Sequence, residues 1–147
     1  MELLSGAQTR YQIGYHMVWG VKYHKHLLNA EMKEFLVAQI KRVCECYDFH
    51  FYCVGIAPNH VHFFAGAPPK VAPARIAQTT KPITAREMFR KYPQLRKALW
   101  GGALWKNGYC VGTISQGQTD AVVRKYIERQ EKQTDSKSHP KQLKLFF

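Results

Sequence analysis

Residues 49–66 read FHFYCVGIAPNHVHFFAG. Two runs rich in aromatic and β-branched residues flank the turn signal Pro58-Asn59, so the stretch predicts an antiparallel hairpin. Alternation along the second strand sets His60, His62 and Phe64 on one face and Val61 and Phe63 on the other. The two histidines then have Cα atoms about 6–7 Å apart, which lets both imidazoles converge on one cation. Taken alone the pair admits two readings, a metal clamp or two packed, hydrogen-bonded strand histidines.

Upstream, residues 11–23 (YQIGYHMVWGVKY) carry the aromatic and β-branched content of a long strand. Asn29 is a good N-cap for the helix after it, whose apolar positions Met32, Phe35, Leu36, Ile40, Val43 and Tyr47 recur at helical spacing. Downstream, the basic run of residues 68–95 reads as largely helical, with Pro82 expected to break or restart the helix and Thr80 or Thr84 to cap its second part. Residues 96–105 (RKALWGGALW) predict a turn around Gly101-Gly102, and residues 104–115 a fourth strand with Asn107-Gly108 at a bend or bulge. A last helix, capped by Thr119 or Asp120, spans residues 119–132. The expected organisation is one domain over residues 1–131 and a polar, flexible tail over 132–147.

The order is β-α-β-β-α-β with one helix appended. This is an α+β, ferredoxin-like or RRM-like pattern: an antiparallel sheet, helices on one face, the other face available to nucleic acid.

Composition points the same way. The chain carries 22 Lys+Arg against 10 Asp+Glu, a formal net charge of +12. Between Lys70 and Lys106 nine basic residues meet only Glu87, so +8 of that excess is concentrated there. Such a field favours a polyanionic partner, nucleic acid above all. Membrane surfaces and acidic proteins are the competing partners on charge alone. No apolar run is long enough to span a bilayer, and the N-terminal residues lack the pattern of a signal peptide, so no membrane and a cytoplasmic, nucleoid-associated location are expected. Cys44, Cys46, Cys53 and Cys110 form no C-x-x-C pair, and Cys44 and Cys46 fall on different sides of a helix. Free buried thiols in a reducing compartment are expected rather than a zinc-thiolate site.

In the last helix Tyr126 and Gln130 share a face at i, i+4, while Val123 and Ile127 make the more natural core stripe. A tyrosine there is either amphipathic packing or a phenolic nucleophile.

Here the sequence resembles a known family. The segment NHVHFF resembles the His-hydrophobic-His motif of HUH nucleases, and VRKYIERQ resembles the single-tyrosine helix of IS200-like transposases of bacterial and archaeal insertion sequences. The segments YHMVWGVKYHKHLL, REMFRKYPQL, LWGGALW and YCVGTIS extend the resemblance, in the family's order, from about Tyr11 to Gln130. It implies that His60 and His62 ligate a divalent metal, Mg²⁺ or Mn²⁺, with Gln130 as a third ligand. Tyr126 would attack a single-stranded DNA phosphate, giving a 5′-phosphotyrosine link and a free 3′-hydroxyl that later reverses the step. No nucleotide cofactor is needed, because the covalent link conserves the phosphodiester's energy. The resemblance further implies subterminal DNA hairpins as substrate and a homodimer with composite active sites.

Imidazole ligands alone would suggest zinc, manganese or nickel before magnesium, so DNA phosphate and water would have to complete an oxygen-rich shell. Arg10, Lys22, Lys25, Lys81, Arg86 and Arg90 are the candidate DNA contacts. The sequence departs from the family where Pro82, in place of a frequent glycine, follows Lys81, which puts the path of the basic helix in question. Competing readings are a non-catalytic RRM-like module, a domesticated HUH endonuclease acting on repetitive palindromes, and a hydrolase of small phosphate esters. The module would present solvent-facing aromatics on its central strands, and the hydrolase would need clustered carboxylates that are missing.

Overall fold

The computed structural model describes residues 3–6 and 9–114. In chain order the elements are β1 (Leu4–Ser5), β2 (Arg10–Tyr11), β3 (Gly14–Gly20), a 3-10 turn at Lys22–His24, α1 (Ala30–Tyr47), β4 (His50–Ala57), β5 (His60–Gly66), α2 (Pro73–Lys91), α3 (Gln94–Ala98) and β6 (Cys110–Thr113). The main sheet runs β4-β5-β3-β6 with every neighbouring pair antiparallel, which is the ferredoxin-like order. A separate two-stranded ribbon joins β1 and β2, and the long first strand expected from Tyr11 breaks there.

One face of the sheet makes the main core. Met17, Trp19 and Val21, Ile56, and Val61, Phe63 and Ala65 pack with Met32, Leu36, Ile40 and Val43 of α1 and Ile76, Ala77 and Met88 of α2. Asn29 caps α1 as expected, its Oδ1 accepting the Met32 N–H at 2.9 Å. Tyr47, assigned to the helix's apolar stripe, is instead exposed in the last turn, next to the left-handed C-cap Asp48. Cys44 is buried and Cys46 exposed, so only part of the expectation of buried thiols holds; burial and Glu45 push the Cys44 thiol up to about 12.

Pro82 does not break α2, which runs unbroken from Pro73 to Lys91. Proline removes a donor to the carbonyl of residue 78, and both Pro82 and Gln78 are exposed, where water can satisfy the orphaned oxygen. Thr80 and Thr84 are fully buried in mid-helix and are not caps. The Thr84 hydroxyl donates to the Thr80 carbonyl at 2.7 Å and accepts from Trp105 Nε1 at 3.1 Å, fastening α2 to the segment leading into β6. The turn expected at residues 96–105 begins later, because α3 occupies Gln94–Ala98.

The hairpin is anchored at its tip. The Val21 N–H donates to the Asn59 carbonyl at 2.8 Å and the Leu28 N–H to the Pro58 carbonyl at 3.0 Å. At the other end of β4 the register shifts between Phe51 and Cys53, a bulge at Tyr52. Among the described residues no helix is long and apolar enough to cross a membrane. The last helix, the tail and the boundary expected at residue 131 lie outside the described residues.

Candidate active site

Backbone register builds the site. His60 stands opposite Gly20 and Ala57, His62 opposite Val18 and Gly55, and Phe64 opposite His16 and Cys53. Directly opposed residues share a face, so His16 joins His60 and His62 on the side away from the helices. Gly20 stands opposite His60 and Gly55 opposite His62, so neither imidazole has a cross-strand side chain directly beside it at those positions.

The histidine face is closed rather than open. His16, His60, His62 and Phe64 are 3, 7, 1 and 4% exposed, and every residue of β5 is buried. The expectation of a free sheet face for nucleic acid fails along β5. That also removes the platform an RRM-like module would need, since stacking on a sheet requires exposed rings on central strands.

Each site ring is held by a neighbour. His60 Nδ1 lies 2.7 Å from Asn59 Oδ1, which can only accept, so Nδ1 carries the proton and Nε2 keeps its lone pair. That Nε2 is buried with no hydrogen-bond partner among the described residues. His62 Nδ1 lies 3.0 Å from His16 Nε2, a contact that fixes the plane of the His62 ring. His16 stacks on Phe64 with centroids 4.1 Å apart, and the His60 and His62 rings are 4.9 Å apart, edge to face.

Electrostatics keep these rings neutral. Burial lowers His16 to about 4. Burial, helped by His26 and Lys33, lowers His60 to about 4. His62 falls well below the ordinary value through burial and then through His60 and His16. A neutral imidazole with an available lone pair is the form that binds a metal.

Beside His60 a cleft of about 680 Å³ opens, lined by Val18, Gly20, His24 and His26 and walled by residues 106–110. Lys81 reaches across from α2 and donates to the carbonyls of Lys106 (2.9 Å) and Gly108 (2.6 Å), bracing that wall. The bend expected at Asn107-Gly108 is present, with Gly108 at φ 85°.

Of the expected site residues, His60 and His62 come together as read, while Tyr126 and Gln130 lie outside the described residues. Among the described residues no group of three or more His, Cys, Asp or Glu side chains is placed to hold a metal. The expected DNA contacts divide. Arg10 is exposed on β2 and Lys22 half-buried. Lys25 is engaged by the Ala98 carbonyl at 2.6 Å and Lys81 by the cleft wall. Arg86 and Arg90 are exposed and each sits 3.4 Å from Glu87. Sequence reasoning misses His16; the signal for it is the period of two in GYHMVWG, which needs the β3–β5 register before it points at His62.

Residues 9–130 match the family described as "Transposase IS200 like". The chain is 35% identical over 130 residues to the ISDra2 transposase TnpA of Deinococcus radiodurans, covering 88% of this chain and 92% of that protein. It is 23% identical over 124 residues to the transposase for insertion sequence element IS200 of Salmonella typhimurium, covering 84% and 80%. A Deinococcus radiodurans R1 crystal structure, described as a candidate transposase, superposes with a TM-score of 0.71 at 30% identity over 87% of this chain and 98% of that one. A REP-associated tyrosine transposase bound to a REP hairpin shares the fold, with a TM-score of 0.52 at 13% identity over 84% and 68%.

Proposed function

The chain belongs to the IS200-like transposase family, and from that premise we propose that it is a metal-dependent, single-stranded DNA transposase with Tyr126 as its nucleophile. What carries the reading is the His60–His62 pair: two neutral rings on one strand face, each with Nδ1 engaged, beside a cleft. The buried, unpartnered Nε2 of His60 fits a metal ligand, because a buried polar atom without a partner is costly unless something binds it.

His60, His62 and Gln130 would hold Mg²⁺ or Mn²⁺. When bound, the ion supplies charge stabilisation at the phosphate oxygens and the departing 3′-oxygen. The chain's own residues do the rest. Asn59 and His16 fix the planes of the two imidazoles, an outer layer of contacts that orients ligands. Tyr126 loses its phenolic proton and forms an Oη–P bond as the P–O3′ bond breaks, and the 3′-oxygen takes up a proton. Reversal on a second strand restores a phosphodiester and frees Tyr126. A homodimer with composite sites, recognising hairpins near the ends of an insertion sequence, completes the proposal.

The test is an SDS-resistant protein–DNA adduct formed from single-stranded oligonucleotides carrying a palindrome, with Mn²⁺ or Mg²⁺. Metal-dependent adduct with the wild type and none with Tyr126→Phe supports it. Hairpin binding without adduct under either metal overturns it.

A further inference from the structure

Away from the histidine face, two large aromatic rings stand in solvent. Trp100 is 73% exposed and Tyr23 56%, and their rings meet edge to face at 5.3 Å. Both are held there by unfavourable backbone. Trp100 has φ 51° and occupies the position just past α3 where glycine is the usual residue. The hydrogen bonds identify the motif: the Trp100 N–H donates to the Lys97 carbonyl at 3.2 Å and the Gly101 N–H to the Arg96 carbonyl at 2.7 Å. Tyr23 (φ 62°) and His24 (φ 54°) are likewise left-handed. Three non-glycine residues in that region, brought together from distant parts of the chain, mark a place where local preference has yielded to something else.

The two turns are tied to each other. The Lys25 ammonium lies 2.6 Å from the Ala98 carbonyl and 4.2 Å above the Trp100 ring. The two segments that carry the pair hold charge of one sign. Residues 20–29 and 94–108 carry Lys22, Lys25, Arg96, Lys97 and Lys106 and no Asp or Glu. The patch is also continuous with the candidate active site, because His24, next to Tyr23, lines the cleft that holds His60, and Lys106 Nζ lies 3.4 Å from His24 Nε2.

Resting on the DNA-binding reading above, we propose that Tyr23 and Trp100 form a stacking site for an unpaired nucleobase of single-stranded DNA leading into the His60 cleft. Aromatic faces beside a cationic track are the chemistry that holds single strands, the rings taking bases and the cations phosphates. The grip is sequence-tolerant, since every base offers a π face.

The experiment uses the full chain, a short oligothymidylate, and the same oligonucleotide with abasic residues in place of thymidines. Of the three tryptophans, Trp19 and Trp105 are buried, so quenching of exposed emission reports Trp100. Oligothymidylate should quench it and bind about tenfold tighter than the abasic strand. Trp100→Ala and Tyr23→Ala should lose that difference, and Trp100→Phe should keep most of it. Trp100→Gly adds a readout that a structural role would reverse: it should bind as weakly as Trp100→Ala while its Tm equals or exceeds that of the wild type. Equal affinity for the two strands, or unchanged affinity in Trp100→Ala, overturns the stacking site. So does loss of a dimer on sedimentation with base preference intact, which would make the patch an interface between copies. The Tyr126 adduct is scored alongside. Adduct with no base preference sinks the stacking site alone, whereas absence of any DNA binding sinks the reading beneath it.

Discussion

Nε2 of His16 lies 3.0 Å from Nδ1 of His62, joining two strands across 46 residues of sequence. The same His16 ring lies flat on Phe64, 7° from parallel. One side of the contact sets the ring's depth and the other sets the direction of the His62 imidazole.

Replacing His16 with Phe keeps the stack and deletes the hydrogen bond. The expected result is a folded protein whose Mn²⁺ affinity falls about 10–100-fold, the usual cost of losing an orienting partner. Calorimetric titration with Mn²⁺ measures it, and His16→Gln, which retains a polar side chain, should recover part of the loss. Wild-type affinity in His16→Phe would show that His62 needs no such support.

His60→Ala and His62→Ala should each abolish both Mn²⁺ binding and adduct formation, while Tyr126→Phe abolishes the adduct and leaves Mn²⁺ binding intact. Separating the two readouts matters, because a variant that merely unfolds loses both together with its circular dichroism. Full cleavage by His60→Ala and His62→Ala would remove the metal role from β5.

Stability should fall in acid. His16 and His60 drop from 6.5 in the unfolded chain to about 4 when folded, and His62 drops further, so the unfolded chain binds more protons through that window. The contribution is fully present above pH 6.5 and is lost progressively as pH falls through 4. His16 and His60 are each worth about 3 kcal/mol, and the rings interact, so the sum is smaller than three separate shifts. Urea unfolding at a series of pH values checks this; a flat profile across the window would contradict it.

Thr84→Val should cost about 1–3 kcal/mol, because Trp105 Nε1 would remain buried without its acceptor. Thr84→Ser keeps the acceptor and most of the stability. Pro82→Ala, on the exposed side of the same helix, should raise stability by about 1 kcal/mol as a donor returns to the residue 78 carbonyl. Thermal melts distinguish the three.

Much of this architecture is legible in the chain because its signals are local. Asn29 followed by an apolar stripe declares α1, and Pro58-Asn59 between β-rich runs declares the hairpin that places His60 and His62. What escapes depends on neighbours distant in sequence. Pro82 reads as a helix breaker until one sees that its side of α2 faces water, and Thr84 reads as a cap until Trp105 is found against it. His16 becomes a site residue only through the β3–β5 register. Trp100 looks like an ordinary turn residue, and nothing in LWGGALW announces that tryptophan, rather than its following glycine, takes the first left-handed position.

The bulge at Tyr52 has an evolutionary consequence. It sits at the open end of the β4–β5 hairpin, whereas the tip beside His60 is fixed by backbone bonds from Val21 and Leu28. An inserted residue near Tyr52 can be taken up by the existing irregularity, but one inserted between Pro58 and His60 turns both histidines toward the helices and swaps Val61 and Phe63 outward. Lineages of this hairpin should therefore accumulate length changes at one end and almost none at the other.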